Sequence, residues 1–262
     1  MNEEYLKFLE TIRALELEQA LEIFRSEMPN AKTVLEVGAG TGWQSQKLAD
    51  AGYSVEAIDL IGSEYVKHRV WDVRNYDGEN IPFPDSYFDI IFSSNVLEHI
   101  PMVEEFQKEI QRVLKPDGRV LHILPSGTWR FWTTLTYFPF AVGFVLKRLF
   151  SGSKTNLLES SENLSSPVET SENSRRGLSK LLSLLLPQRH GEKGNTITEI
   201  YYFSKARWAR LFKDTGWKIE KYLTNNLFYT GYLIFGPSIS TEKRSKISRF
   251  AGNSCHLFLL KK

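Results

Sequence analysis

The stretch Val34-Leu-Glu-Val-Gly-Ala-Gly-Thr-Gly42 constrains this chain more than any other. Val34 to Val37 is β-branched, apolar and stopped by glycine, as a buried strand is. Glycine then recurs at alternate positions: Gly38, Gly40 and Gly42. Without a Cβ, these residues permit a tight turn and the close approach of a ligand to the backbone. Gln44, Ser45, Gln46, Leu48 and Ala49 follow as the first turns of a helix. Strand, glycine turn and helix form the nucleotide-binding start of a doubly wound α/β sheet. The dinucleotide fingerprint G-x-G-x-x-G needs its third glycine at position 43, where Trp43 stands. That argues against a nicotinamide-linked oxidoreductase.

The 262 residues suffice for one large α/β domain with insertions, or for two small domains. Hydrophobic and charged fractions of 42 % and 24 % are those of an ordinary globular protein, which sets aside disordered and fibrous classes. A net charge of +2 decides nothing about nucleic acid, but residues 236–262 carry six bases against Glu242 alone. Such a tail is a solvated face or a contact for an anionic surface. Cys255 is the only cysteine, so a disulfide framework and a cysteine-rich zinc site are excluded. No basic segment leads into an apolar core at the start, and a cytoplasmic location is expected.

Along the chain, Tyr5, Phe8, Ile12 and Leu15, then Leu17, Leu21, Phe24 and Met28, recur at helical spacing and predict a helix over 3–28. After the glycine turn, a helix over about 42–51 and Gly52 lead to a second strand, Tyr53 to Asp59. A carboxylate at the end of that strand can accept hydrogen bonds from both hydroxyls of a ribose. His68 to Val73 reads as a third strand, and Ile90 to Phe92 as a fourth, opened by Asp89. Phe83 and Phe88 read as core anchors. Phe106, Ile110, Val113 and Leu114 share one face of a helix begun by Pro101, and Arg119 to Leu124 is a fifth strand.

The motif around Glu36 and the three glycines resembles motif I of the class I S-adenosylmethionine-dependent methyltransferases, hh(D/E)hGxGxG. Two later stretches agree with it. Ile81-Pro-Phe-Pro-Asp-Ser-Tyr-Phe-Asp-Ile-Ile-Phe92 resembles a segment of the methyltransferase type 11 group, which includes the ubiquinone and menaquinone biosynthetic enzymes. Glu109-Ile-Gln-Arg-Val-Leu-Lys-Pro-Asp-Gly118 resembles that group's E(i/l)xRVLKPGG segment, with Asp117 in place of its first glycine. The resemblance covers residues 32–124. It implies a Rossmann-like seven-stranded sheet of order 3-2-1-4-5-7-6, with strand 7 antiparallel, and S-adenosyl-L-methionine as cofactor. It also implies a cofactor site of Glu36, Gly38, Ala39, Gly40, Thr41, Gly42, Asp59, Leu60, Asp72, Val73, Ser94 and Asn95. Glu36 would lie near the methionine end, Asp59 at the ribose and Asp72 at the adenine. The N-terminal helix would cover the site.

Beyond Pro125 the resemblance thins. Trp129 to Phe150 is aromatic, with 16 uncharged residues from Phe131 to Leu146 interrupted by Pro139. That is short of the roughly 20 residues of a spanning helix. It reads as an interfacial or re-entrant membrane element, a lid over the site, or a dimer face. Residues 151–179 are rich in Ser, Glu and Asn and read as a flexible loop, and Leu178 to Leu186 as a short helix. The polar loop Gln188 to Asn195 is expected to reach back toward the site. Ser204 reads as an N-cap for a helix bearing Trp208, Leu211 and Phe212. Trp217 to Leu223 and Ser254 to Leu260 are the last strands, and Leu227 to Phe235 is a second apolar stretch. The expected organisation is an N-terminal helical cap (1–30), a cofactor-binding core (31–124), a partly helical and flexible insertion (125–200) and the C-terminal part of the core (201–262).

The expected activity is methyl transfer to a small-molecule or lipid- or glycan-linked acceptor, at oxygen, with peripheral membrane contact through 129–150 as an option. The alternative is a non-catalytic module of the same fold that uses 129–150 as a partner face. His99 is the candidate base, since it follows strand 4 and titrates in the right range. His122 and His190 read rather as packing or hydrogen-bonding histidines. No metal is expected: related enzymes that bind a divalent ion carry Glu-x-x-Glu-His, and here Asn95 stands where the first Glu would be. Nucleic acid is not expected as substrate, because the Asn/Asp-Pro-Pro-aromatic motif of amino-directed methyltransferases is missing after strand 4.

Overall fold

The computed structural model describes residues 3–151, 187, 189–231 and 238–262, with the backbone alone at 3–7 and 140–151. Seven strands form one sheet in the order β3-β2-β1-β4-β5-β7-β6, as the sequence leads one to expect. Strands β1 (Thr33–Val37), β2 (Ser54–Leu60), β3 (Arg74–Tyr76), β4 (Phe88–Ser94) and β5 (Leu114–Pro125) pair in parallel. Strand β7 (Cys255–Lys261) lies antiparallel between β5 and β6 (Lys218–Thr224). Parallel strands covered on both faces are apolar throughout rather than alternating. Accordingly Val34, Leu35 and Val37 of β1 and Ile90, Ile91 and Phe92 of β4 are all buried.

Helix α1 (Glu3–Glu27) packs through Phe8, Ile12, Leu17, Ile23 and Phe24, the last edge-on to Phe92 of β4 and to Tyr53 just ahead of β2. Helix α2 (Trp43–Asp50) leaves the glycine turn, and α3 (Val103–Val113) buries Phe106, Ile110 and Val113. Helix α4 (Gly127–Ser151) follows β5, then α5 (Glu199–Tyr202), α6 (Lys205–Asp214) and α7 (Thr241–Ala251). Ser204 caps α6 as expected, its hydroxyl accepting from the Arg207 amide. At the opposite edge of the sheet from the site, Asp89 accepts from the Lys32 and Thr33 amides and pairs with Lys115 at 2.7 Å. Burial works against its charge, but these partners hold the carboxyl well below its usual range.

Three expectations need correction. The third strand is Arg74–Tyr76, not His68–Val73. His68 ends a 3-10 turn (Glu64–His68), and residues 69–73 cross over the glycine turn, with the Val70 amide bonded to the Thr41 carbonyl. The fifth strand begins at Leu114, because Phe88 already pairs with it. Pro139 does not interrupt the aromatic segment, since α4 continues through it. No described helix is long and apolar enough to cross a membrane. The low-complexity stretch, the short helix at 178–186 and residues 232–235 lie outside the described residues.

Candidate active site

The site gathers at the carboxyl ends of β1, β2 and β4, where the strand order reverses on either side of β1. The backbone of Gly38, Gly40 and Gly42 lies at φ +70°, +57° and +75°, the left-handed region that glycine alone adopts freely. The three have different surroundings. A Cβ on Gly38 would come within 2.4 Å of Val96, and one on Gly42 within 2.5 Å of Trp71. At Gly40 it would meet only the Tyr65 ring, at 3.4 Å. Gly40 is thus the point of the turn where a Cβ would make only ordinary contact, with the Tyr65 ring. The Gly38 and Ala39 amides are held by the Ile58 carbonyl of β2, while Ala39 packs with Ala57, Val73 and Trp71.

Glu36 is buried inside β1, its carboxyl accepting from the Ser45 hydroxyl at the start of α2. Burial raises its pKa to about 8, and the neighbouring Asp59 adds to the rise. Asp59 stands one residue before the end of β2. Its Oδ1 accepts from the Leu60 amide at 2.9 Å, and its Oδ2 is buried with no hydrogen-bond partner among the described residues. Leu60 is exposed beside it. Asp72, expected after the third strand, precedes it and is exposed, with buried Val73 next to it. The acid that directly follows β3 is Asp77, which accepts from the Glu79 and Asn80 amides. The Asp77-Gly78 pair, a turn signal, was the clue to that boundary.

Beyond β4, Ser94 and Asn95 sit at the strand end, Asn95 at φ +56° with its amide bonded to Ile123. A 3-10 turn (Leu97–His99) then brings Glu98 and His99 together. The Glu98 side chain is fully buried, and neither of its oxygens accepts a hydrogen bond from the described residues. Burial raises its pKa to about 8. The polar loop does reach back: the Glu192 amide donates to the Glu98 carbonyl at 2.8 Å. This puts His190 Nε2 3.9 Å from Glu98 Oε1 and His99 Nε2 3.8 Å from it. Burial lowers the pKa of both histidines, that of His190 to about 3, so both are neutral imidazoles at neutral pH. His122 is different. It is wholly buried, bonded to Ser93 and stacked on Phe212, a packing histidine as read from the sequence.

Glu98 and His190 gain their importance only in three dimensions. The same holds for Glu16 of α1, whose Oε1 accepts from Asn225 and Tyr229 while Oε2 pairs with Arg13 at 2.7 Å. A helical Glu gives no sequence signal of such a role.

The cofactor implied by the resemblance fits these residues. Asp59 Oδ2 is a buried acceptor lacking a donor among the described residues, which a ribose hydroxyl would supply, and a Cβ at Gly40 would meet only the Tyr65 ring. A family model described as a methyltransferase domain matches residues 35–122. Among curated relatives, the biotin biosynthesis bifunctional protein BioHC of Cellvibrio japonicus is 35 % identical over 101 residues, 36 % of this chain and 20 % of the relative. The demethylmenaquinone methyltransferase of Tropheryma whipplei is 32 % identical over 125 residues, 44 % of this chain and 50 % of the relative. The chain thus spans half or less of the length of these two relatives. An S-adenosylmethionine-dependent methyltransferase from Mesorhizobium loti superposes with a TM-score of 0.51 at 12 % identity, over 92 % of this chain and 96 % of that one, and shares its fold. The fold and the matched domain define a class I methyltransferase. Residues 35–122 are similar to the S-adenosylmethionine-dependent members of that class, and the cofactor this supports is S-adenosyl-L-methionine.

Proposed function

We propose that this chain transfers a methyl group from S-adenosylmethionine to the hydroxyl oxygen of an apolar acceptor, a small molecule or one carried on a lipid or glycan. The cofactor supplies a methyl on a cationic sulfur. The chain's own work is to hold the acceptor in line with it and to manage one proton, and orientation accounts for much of the rate. Glu36, the glycine turn from Gly38 to Gly42, Asp59, Leu60, Ser94 and Asn95 are assigned to cofactor binding. Val73 lines the turn through Ala39, and Asp77 takes the adenine end in place of Asp72.

The observation that carries the oxygen assignment is the neutral His99 at the end of β4, beside a carboxyl with no donor of its own. A neutral imidazole there can take the proton that an attacking hydroxyl must lose. The apolar character of the acceptor rests on α4, which presents Phe131, Leu135 and Phe138, exposed at i, i+4 and i+7 on one face. The name of the Tropheryma relative, a quinone-directed enzyme, agrees with an apolar acceptor.

The test combines the purified protein, methyl-labelled S-adenosylmethionine and an extract of the cells it comes from, partitioned between organic and aqueous phases. Label in the organic phase, in base-stable ether linkage, is expected. Label confined to water-soluble product would sink the apolar acceptor, and label on nitrogen would sink the oxygen assignment.

A further inference from the structure

Arg13 of α1 carries a guanidinium that is fixed at one corner and open along one edge. Its Nη1 donates to Glu16 Oε2 at 2.7 Å, while Nε and Nη2 have no partner among the described residues. The side chain keeps 33 % exposure, so that edge can be reached from outside. We propose that Arg13 recognises an oxyanion, a carboxylate or a phosphate, carried by the methyl acceptor. The substrate class is then an anionic amphiphile, with an apolar body, an accepting hydroxyl and a charged group in one molecule.

The surroundings hold this cation in place. Glu16 is fully buried, and its second oxygen, Oε1, accepts from Asn225 Nδ2 at 2.8 Å and from the Tyr229 hydroxyl at 3.0 Å. Asn225 is fixed in turn, since its Oδ1 accepts from the Leu227 and Cys255 amides. A carboxylate anchored in this way orients the planar guanidinium while taking only one of its nitrogens. Nε and Nη2 form the side edge of the fork, which suits the two oxygens of a carboxylate or phosphate.

Several contacts put Arg13 at the acceptor end. The Tyr229 hydroxyl lies 3.0 Å from Cys255 Sγ, which stands 3.8 Å from Asn95 Oδ1 beyond β4. Burial dominates the raised pKa of Glu98 and the lowered pKa of His190, and the Arg13 charge acts on both groups. The His190 ring packs on His99 at 4.9 Å and on Trp129 of α4 at 4.8 Å. The candidate base and the start of α4 thus stand together within range of the Arg13 charge. Other cations of this region are engaged: Arg130 is fully buried against Glu199, and Lys193 and Arg207 both bond to Glu104.

Oxyanion binding stands on this geometry. That the anion belongs to a methyl acceptor rests on the methyl-transfer reading above. The probes are octyl phosphate, octanoate and uncharged octanol, each titrated calorimetrically into the full chain. Wild type is expected to bind at least one of the anions about tenfold or more tighter than octanol, as hydrogen bonds to a charged group allow. The tighter of the two anions names the group. Arg13→Gln should bring the three affinities together. It also strands the Glu16 carboxylate in the interior, so a second chain carrying both Arg13→Gln and Glu16→Gln is run beside it and should behave alike. Arg13→Lys keeps the charge without the fork and should retain only part of the preference. Equal affinity for anions and octanol in wild type, or a preference that survives in the neutral variants, would overturn the proposal. S-adenosylhomocysteine binding in the same samples separates the two ideas. Its loss in wild type would defeat the methyl-transfer reading and leave the anion site standing.

Discussion

At single residues, the glycine turn makes a sharp distinction. Gly40→Val places a side chain against the Tyr65 ring. It should abolish S-adenosylhomocysteine binding in calorimetry while the circular dichroism spectrum stays near native. Gly38→Ala drives a Cβ into Val96 and should lower the melting temperature further than Gly40→Val, which is strained chiefly by its positive φ. Wild-type affinity in Gly40→Val would remove the turn from the cofactor site. Glu36 adds a pH dependence. Its carboxyl ionises near pH 8 in the folded chain and near 4.5 when unfolded. The folded state therefore holds the proton longer, so this group's contribution to stability is whole below about pH 4.5 and is lost as pH rises toward 8. Glu36→Gln cannot ionise. Its melting temperature relative to wild type should rise between pH 5 and pH 8 by roughly 10 °C, since a shift from 4.5 to about 8 corresponds to several kcal/mol and about 1 kcal/mol shifts a domain of this size by roughly 2–4 °C. A difference that stays flat with pH would show that Glu36 titrates normally.

At the level of elements, Ser204→Ala removes the hydroxyl that accepts from Arg207 at the start of α6. The expected loss is about 1 kcal/mol in denaturant unfolding, and no change would mean the cap is not formed in solution. This cap was legible because its signal is local: a serine just ahead of an apolar helical face. The β1 turn and the Asp59 strand end were legible for the same reason. Strand β3 was not. It has three residues, of which only Tyr76 is buried, so it carries no apolar run. The valines that suggested a strand belong to the segment over the glycine turn, where Val73 packs against Ala39 and Ala57. Pro139 misled differently. A proline lacks one backbone donor and usually breaks a helix, but α4 runs through it. The Glu98–His190 contact had no local signal, because it is made by a loop hydrogen bond between residues far apart in the chain.

For the whole molecule, the two ends of the chain close over the carboxyl edge of one sheet. Glu16 of α1 binds Asn225 and Tyr229 near the last strands, and the 189–195 loop is bonded to the turn after β4. Asp59 lies near the carboxyl end of β2, and Glu98 and His99 lie just beyond that of β4, at the same end of the sheet. The first experiment to make is a calorimetric titration of the full chain with S-adenosylhomocysteine, run beside Asp59→Ala. Asp59 brings a buried oxygen without a partner to the place where a ribose hydroxyl is expected. One-to-one binding by wild type, weakened about tenfold or more by Asp59→Ala through loss of a charged hydrogen bond, is the predicted result. No binding by wild type, or equal affinity in the two proteins, would contradict the assignment of Asp59 and the glycine turn to S-adenosylmethionine.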